Sequence, residues 1–187
     1  MIKTYAKTST THPIRIDWVT PANVPGRIGL TFCPGKKVKN SISGGDWDRD
    51  IDLDLDAIAG SGALVLVTLI KAHEFDEMGV KELAGKVKSQ GLAWYHLPIP
   101  DKGIPDKIFE EKWIRTGSDL RTRLFSGDDI VIHCKGGLGR TGLVAARLLI
   151  ELGEDNQSVI QKVRVARPGA VETEEQENYL KWINFKG

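Results

Sequence analysis

A chain of 187 residues is long enough for one compact domain with a substantial core. Its hydrophobic and charged fractions, 41% and 27%, are ordinary for a globular protein, and a net charge of +1 provides no field to draw it to nucleic acid or a membrane surface. Two cysteines, Cys33 and Cys134, cannot make a disulfide framework and suit a reducing, cytoplasmic setting.

Residues 1–13 form a polar, threonine-rich segment, expected to be loosely held, ahead of a single domain over residues 14–187. Lys3 and Lys7 are followed by Thr8 through Thr11 rather than by the apolar core of a secretory leader. Residues 14–19 and 27–32 read as short strands separated by Pro21 and Pro25. The loop opening at Pro34-Gly35 carries Lys36, Lys37 and Lys39, which read as solvated. Residues 50–59 read as a short helix stopped by Gly60. Residues 63–70 are apolar on both alternate faces, which fits a central parallel strand buried on both sides; they are far too few to span a bilayer. Residues 80–89 read as a helix with Leu83 and Val87 inward, 91–98 as a strand, and 105–125 as a long helix that admits Pro105 in its first turn. A strand over 129–133 follows. The next helix, over 143–152, is apolar nearly all round and so belongs at the centre of the domain. Helices over 156–166 and 172–184, divided by Arg167-Pro168-Gly169, complete the chain. This alternation predicts one α/β domain, a central, mostly parallel twisted sheet flanked by helices.

The chemistry concentrates in one stretch, His133-Cys134-Lys135-Gly136-Gly137-Leu138-Gly139-Arg140-Thr141-Gly142, between a strand and a helix. A thiolate is a better nucleophile than a thiol, and a helix N-terminus and a nearby cation both favour it. The helix starting near Arg140 directs its free N–H groups at the loop. Arg140 is permanently charged, and its planar fork matches two phosphate oxygens. Gly136, Gly137, Gly139 and Gly142 allow the backbone to curl and turn successive N–H groups inward, a nest for an anion over residues 135–140 that includes Lys135 and Leu138. The same donors suit a phosphate dianion and its transition state. His133 is placed to brace Cys134 through its ring, and Thr141 to donate a hydroxyl to the thiolate as it departs. Cys33 reads as a packed, inert thiol; a disulfide with Cys134 is permitted by number alone.

The stretch from His133 through Cys134 to Arg140-Thr141 is similar to the signature of the cysteine-dependent protein tyrosine phosphatase superfamily, and most similar to its dual-specificity branch. Three further segments, Phe32-Cys33-Pro34-Gly35-Lys36, Pro98-Ile99-Pro100-Asp101-Lys102-Gly103 and Gly169-Ala170-Val171-Glu172-Thr173 leading to Gln176, resemble the kinase-associated phosphatase (cyclin-dependent kinase inhibitor 3) group. The resemblance covers roughly residues 14–185. It implies the tyrosine phosphatase fold and hydrolysis of phosphate monoesters on protein, phosphotyrosine and also phosphoserine or phosphothreonine, in two steps through a cysteinyl-phosphate. Cys134 is then the nucleophile, Arg140 the phosphate ligand and Asp101 the acid and later the base. Asp106 competes for that last role, but a carboxylate in a first helical turn is already explained by the helix dipole. Gln176 matches a glutamine that positions the attacking water; the alternative is a polar residue on an exposed helix face. The resemblance implies no metal or other cofactor, and as partners a phosphorylated protein and a phosphate ion in the loop, with neither nucleic acid nor membrane insertion. No tyrosine-recognition loop is found, so the pocket is expected to be shallow. Lys135 resembles the basic loop of phosphoinositide phosphatases, but Leu138 stands where such loops often have a second lysine. An inositol phosphate or phosphoinositide phosphatase, and a phosphoprotein-binding module without turnover, are the competing readings.

Other signals fall away on inspection. Gly137 to Gly142 satisfies G-x-G-x-x-G, but the acidic residue of a dinucleotide site is missing from the helical stretch that follows. A Walker loop ends Gly-Lys-Ser/Thr, whereas this one ends Gly-Arg-Thr. Asp46, Asp48, Asp50, Asp52, Asp54 and Asp56 lack the glycine and glutamate of a calcium loop and read as a solvated turn and helix start. His73-Glu74 begins like a zinc-protease helix, but Glu77 stands where its second histidine would be.

Overall fold

The computed structural model describes residues 6–39 and 45–183. A five-stranded sheet runs in the order β1-β2-β7-β5-β6, formed by β1 (Asp17–Val19), β2 (Ile28–Phe32), β5 (Ala63–Thr68), β6 (Ala93–His96) and β7 (Asp129–Cys134). β1 is antiparallel to β2, and the other pairs are parallel. The expected fold class is therefore the observed one. A small antiparallel pair, β3 (Lys37–Val38) with β4 (Trp47–Asp48), stands apart from the sheet.

Both faces of the sheet are covered. One core gathers Leu66 and Val131 from the sheet with Leu55 and Ile58 of α1 (Ile51–Gly60) and Leu83 and Val87 of α3 (Leu83–Ser89). On the other face Val65, Val67, Ile130 and Ile132 meet Phe109 and Leu120 of α4 (Lys107–Phe125), Leu143 and Ala146 of α5 (Gly139–Glu151), Val159 and Val163 of α6 (Asn156–Ala166) and Leu180 of α7 (Glu174–Lys181). Successive side chains of a strand point to opposite faces, so adjacent residues such as Val65 and Leu66 feed different cores. All 13 residues of α5 are buried, as its all-round apolar pattern requires. Leu64 departs from the doubly buried strand: it is half exposed, where a register shift interrupts the pairing of β5 with β7.

Polar caps set several boundaries. Asp50 accepts from the Asp52 and Leu53 N–H groups and starts α1. Asp106 accepts from Phe109 N–H and starts α4, so Pro105 lies just outside the helix. Thr173 caps α7 through Gln176 N–H. A short helix, α2 (Ala72–Glu77), follows β5 where the sequence shows no helical period. The C-terminal helix ends at Lys181; the expected extension reaches Asn184, outside the described residues.

Three expectations about polar segments need correction. Within residues 1–13, those described are not loose: Lys7 N–H donates to the Asp46 carbonyl, Ser9 exchanges hydrogen bonds with Asp50, and Arg49 donates to the His12 carbonyl. The aspartate run is not wholly solvated, because Asp54 is buried and accepts from Nη2 and Nε of the buried Arg49 at 2.7 and 2.8 Å. Nor is the lysine loop: Lys36 is only 6% exposed.

Strand register explains the placement of the site. Phe32 pairs with Cys134 and Thr68 pairs with His133, so β2, β5 and β7 end together. The segments after them, and the one after β6, therefore meet at the carboxyl edge of the sheet, where open α/β folds hold their ligands.

Candidate active site

Cys134 closes β7, and α5 starts at Gly139, so residues 135–138 alone form the bend. Gly137 sits at φ +72°, and a Cβ there would fall 2.3 Å from the Thr31 carbonyl oxygen. Only glycine fits a left-handed residue pressed against backbone. Its N–H donates to Cys134 Sγ at 3.2 Å. Cys134 is only 3% exposed.

The outer side of the loop is clamped. Arg167 donates from Nε to the Gly137 carbonyl and from Nη2 to the Gly136 carbonyl, and its Nη1 pairs with Asp17 at 2.7 Å. Fixing these carbonyls outward keeps the following amides turned inward. The Gly139 N–H donates to Glu172 Oε2 at 2.8 Å.

Arg140 is 1% exposed and gripped by two acids. Glu74 of α2 takes Nη1 at 2.7 Å and Nη2 at 3.0 Å. Asp101, on the loop after β6, takes Nη2 at 2.8 Å, and Nη1 also donates to the Ile99 carbonyl. Burial pushes the guanidinium down, but Glu74 and the charges of Cys134 and Asp101 outweigh it and hold the cation. Burial likewise pushes the Glu74 carboxyl up, yet Arg140 and the Lys71 N–H bring it below the ordinary glutamate value. Glu74 Oε2 also accepts from Lys71 N–H and so caps α2.

The remaining expected residues divide. His133 is fully buried; its Nε2 meets Thr68 Oγ1 at 2.8 Å and its Nδ1 meets the Cys134 carbonyl at 3.3 Å, so it braces the backbone rather than the thiol. Burial lowers the imidazole to about 3, which keeps it neutral. Thr141 Oγ1 is buried without a hydrogen-bond partner among the described residues. Lys135 points outward, 3.9 Å from Glu77. Gln176 is not on an exposed face: it is fully buried, its Oε1 accepts from Glu172 N–H, and its Nε2 donates to the Gly103 carbonyl at 3.0 Å. It thus ties the turn before α7 to the loop carrying Asp101. Asp106 is a helix cap, and its carboxyl lies below the ordinary aspartate value chiefly because of the Phe109 N–H. Cys33 is fully buried, burial pushes its thiol far up, and both cysteines are free.

A cavity of about 200 Å³ opens beside the loop, lined by Asp101, Lys135, Gly136 and Leu138 among others. A larger cleft, about 680 Å³, lies between α6 and α7, but neither Asp101 nor any residue of the 133–142 loop lines it. The smaller cavity is the one joined to the chemistry. Glu74 and Arg167 were missed in the sequence. Glu74 lies 66 positions from Arg140, and no spacing rule links them.

A buried cysteine whose sulfur takes the Gly137 N–H, and an arginine anchored by Glu74 and paired with Asp101, at the edge of a mostly parallel sheet, define a cysteine-dependent phosphatase. The sequence profile of the Cyclin-dependent kinase inhibitor 3 (CDKN3) family matches residues 6–163, and the chain belongs to that family. It is 34% identical to Cyclin-dependent kinase inhibitor 3 of Rattus norvegicus over 178 residues, 90% of this chain and 77% of the relative. The Homo sapiens protein of the same name is 32% identical over the same shares. The crystal structure of kinase associated phosphatase, with its catalytic site cysteine replaced by serine, superposes with TM-score 0.79 at 30% identity and covers 90% of this chain and 92% of that one.

Proposed function

We propose that this phosphatase hydrolyses phosphate monoesters carried on protein, phosphotyrosine and also phosphoserine or phosphothreonine. The observation that carries the reading is the convergence of Cys134 Sγ, the Gly137 N–H, the anchored Arg140 and the Asp101 carboxyl at one loop.

In the first step the Cys134 thiolate attacks phosphorus in line. The bond to the substrate oxygen breaks, and the Asp101 proton passes to that oxygen. Arg140 and the loop amides hold the three equatorial oxygens as charge redistributes. An incoming dianion competes with Asp101 for the Arg140 fork, which releases the carboxyl for proton transfer. Water then attacks the cysteinyl-phosphate, Asp101 takes its proton, and the S–P bond breaks to return the thiolate and free phosphate. Thr141 supports the departing sulfur in this scheme, and Gln176, beside Gly139 and Gly103, orients the water. The phosphoprotein is met in the cytoplasm, the reducing setting that two free cysteines suit.

The test compares kcat/KM on an aryl phosphate, a phosphopeptide panel, and inositol phosphates or phosphoinositides. Turnover led by phosphopeptides is expected. Turnover led by inositol phosphates would replace the substrate class, and binding of phosphopeptide with no turnover of any ester would replace the enzyme by a binding module. Among the described residues no helix is long and apolar enough to cross a membrane.

A further inference from the structure

The cavity that Asp101 lines is also lined by a lysine and a tryptophan that the two-step chemistry does not use. Lys36 Nζ stands 3.8 Å from the centre of the Trp47 ring and 4.7 Å from that of Phe32, and reaches the Lys135 carbonyl at 3.5 Å. The ammonium thus meets the loop at a backbone carbonyl rather than at an N–H group of the anion nest. Both Lys36 and Trp47 line the cavity. The buried Trp47 Nε1 has no hydrogen-bond partner among the described residues.

The two acids that line the cavity are already engaged: Asp101 is on Arg140, and Glu172 is on Gly139 N–H. Among the described residues, Lys36 has only ring faces and a carbonyl. Burial lowers its ammonium to about 8; Arg49 and Arg167 push the same way, while Cys33 and Cys134 oppose them. A mostly buried cation without a carboxylate, next to a buried donor without an acceptor, gains on the arrival of an anion.

We propose that Lys36 and Trp47 form a specificity subsite for a second anionic group of the substrate, a phosphate or carboxylate on a side chain neighbouring the phosphoester. This rests on the phosphopeptide reading and deepens it. The subsite selects substrates and makes no bond with the reacting phosphorus.

The experiment uses three phosphopeptides that differ only beside the target residue, which is followed by alanine, glutamate or a second phosphorylated residue, with an aryl phosphate alongside. Wild type is expected to favour the anionic neighbours over alanine by about tenfold in kcat/KM, the yield of one charge-assisted hydrogen bond. The glutamate and phosphate arms show which anion is preferred. Lys36→Met keeps the aliphatic stem, and should bring the ratio to within about twofold. Trp47→Phe keeps a ring and loses the N–H, and should reduce the ratio, a second route if Lys36→Met fails to fold. Lys102→Ala, an exposed cation on the same cavity, should leave the ratio unchanged. Equal rates on all three peptides with the aryl phosphate still turned over would overturn the subsite and leave the phosphatase reading standing. A preference that survives Lys36→Met and vanishes in Lys102→Ala would move the site to Lys102 and overturn the proposal. No turnover of the aryl phosphate would remove the reading beneath it.

Discussion

Glu74 closes both carboxylate oxygens on the guanidinium of Arg140, and both side chains are all but shut off from solvent. The proposed phosphate ligand is thus held by a helix outside the loop. Breaking a buried ion pair strands a charge, which costs roughly 3 kcal/mol or more. Asp101 still neutralises part of that charge, so Glu74→Gln should lie near about 3 kcal/mol. Denaturant midpoints at constant m-value measure it, and kcat/KM on an aryl phosphate should fall at least about tenfold as the fork loses its orientation. An unchanged midpoint and rate would mean that Asp101 alone fixes Arg140.

The proposed nucleophile is tested by Cys134→Ser. The smaller oxygen keeps the loop amides and Arg140, so phosphopeptide binding should persist within about threefold while turnover disappears. Equilibrium binding and rate are both needed. Residual turnover near wild type would remove Cys134 from the chemistry.

Asp101 and Asp106 separate by geometry. The first lies 2.8 Å from Arg140 beside the cavity, and the second caps α4. Asp101→Ala should lower kcat by about a hundredfold on a poor leaving group, the scale of one general acid, and much less on an activated aryl ester that leaves unprotonated. Asp106→Ala should cost about 1 kcal/mol of stability as a lost cap, with kcat nearly intact. The reverse pattern would exchange the two assignments.

The glycines of the loop are not equivalent. Gly137 has its left-handed φ and the Thr31 carbonyl against it, on a strand paired to β7 that cannot withdraw. Gly136 has open space where a Cβ would stand. Gly137→Ala should therefore destabilise by about 2 kcal/mol or more, and Gly136→Ala by less than about 0.5 kcal/mol. Equal melting temperatures would contradict this difference.

How much was legible beforehand follows the range of each interaction. The sheet, α3, α5 and α6 are written in local periodicity, and the loop from Cys134 to Arg140 is contiguous, so both were read directly. α2 has six residues, too few for a helical period, and its importance comes from Glu74 meeting Arg140 across the fold. Arg167 looked like the end of a helix, and only the third dimension brings it under Gly136 and Gly137. Lys36 and Asp54 carry charge and so read as solvated, whereas rings of Phe32 and Trp47 cover one and Arg49 neutralises the other.

His133 gives a prediction about pH. Burial first, then the charges of Arg140 and His96, lower its imidazole to about 3, against the opposing Cys134 carbonyl and Glu74. In the unfolded chain the ring takes a proton near pH 6.5. The folded protein refuses that proton, so the contribution of His133 to stability is complete above about pH 6.5 and is lost as pH falls toward 3. Over that window the loss proceeds at up to about 1.4 kcal/mol per pH unit. His133→Asn, which retains polar atoms toward Thr68, should be less stable than wild type at pH 8, and the gap should narrow as the medium is acidified to pH 5. Because the ring stays neutral from pH 4 to 9, the limbs of the kcat/KM profile should keep their positions in this variant even if their height drops. A stability difference that does not vary with pH, or an acid limb that moves with the substitution, would show that the ring is protonated in the folded enzyme.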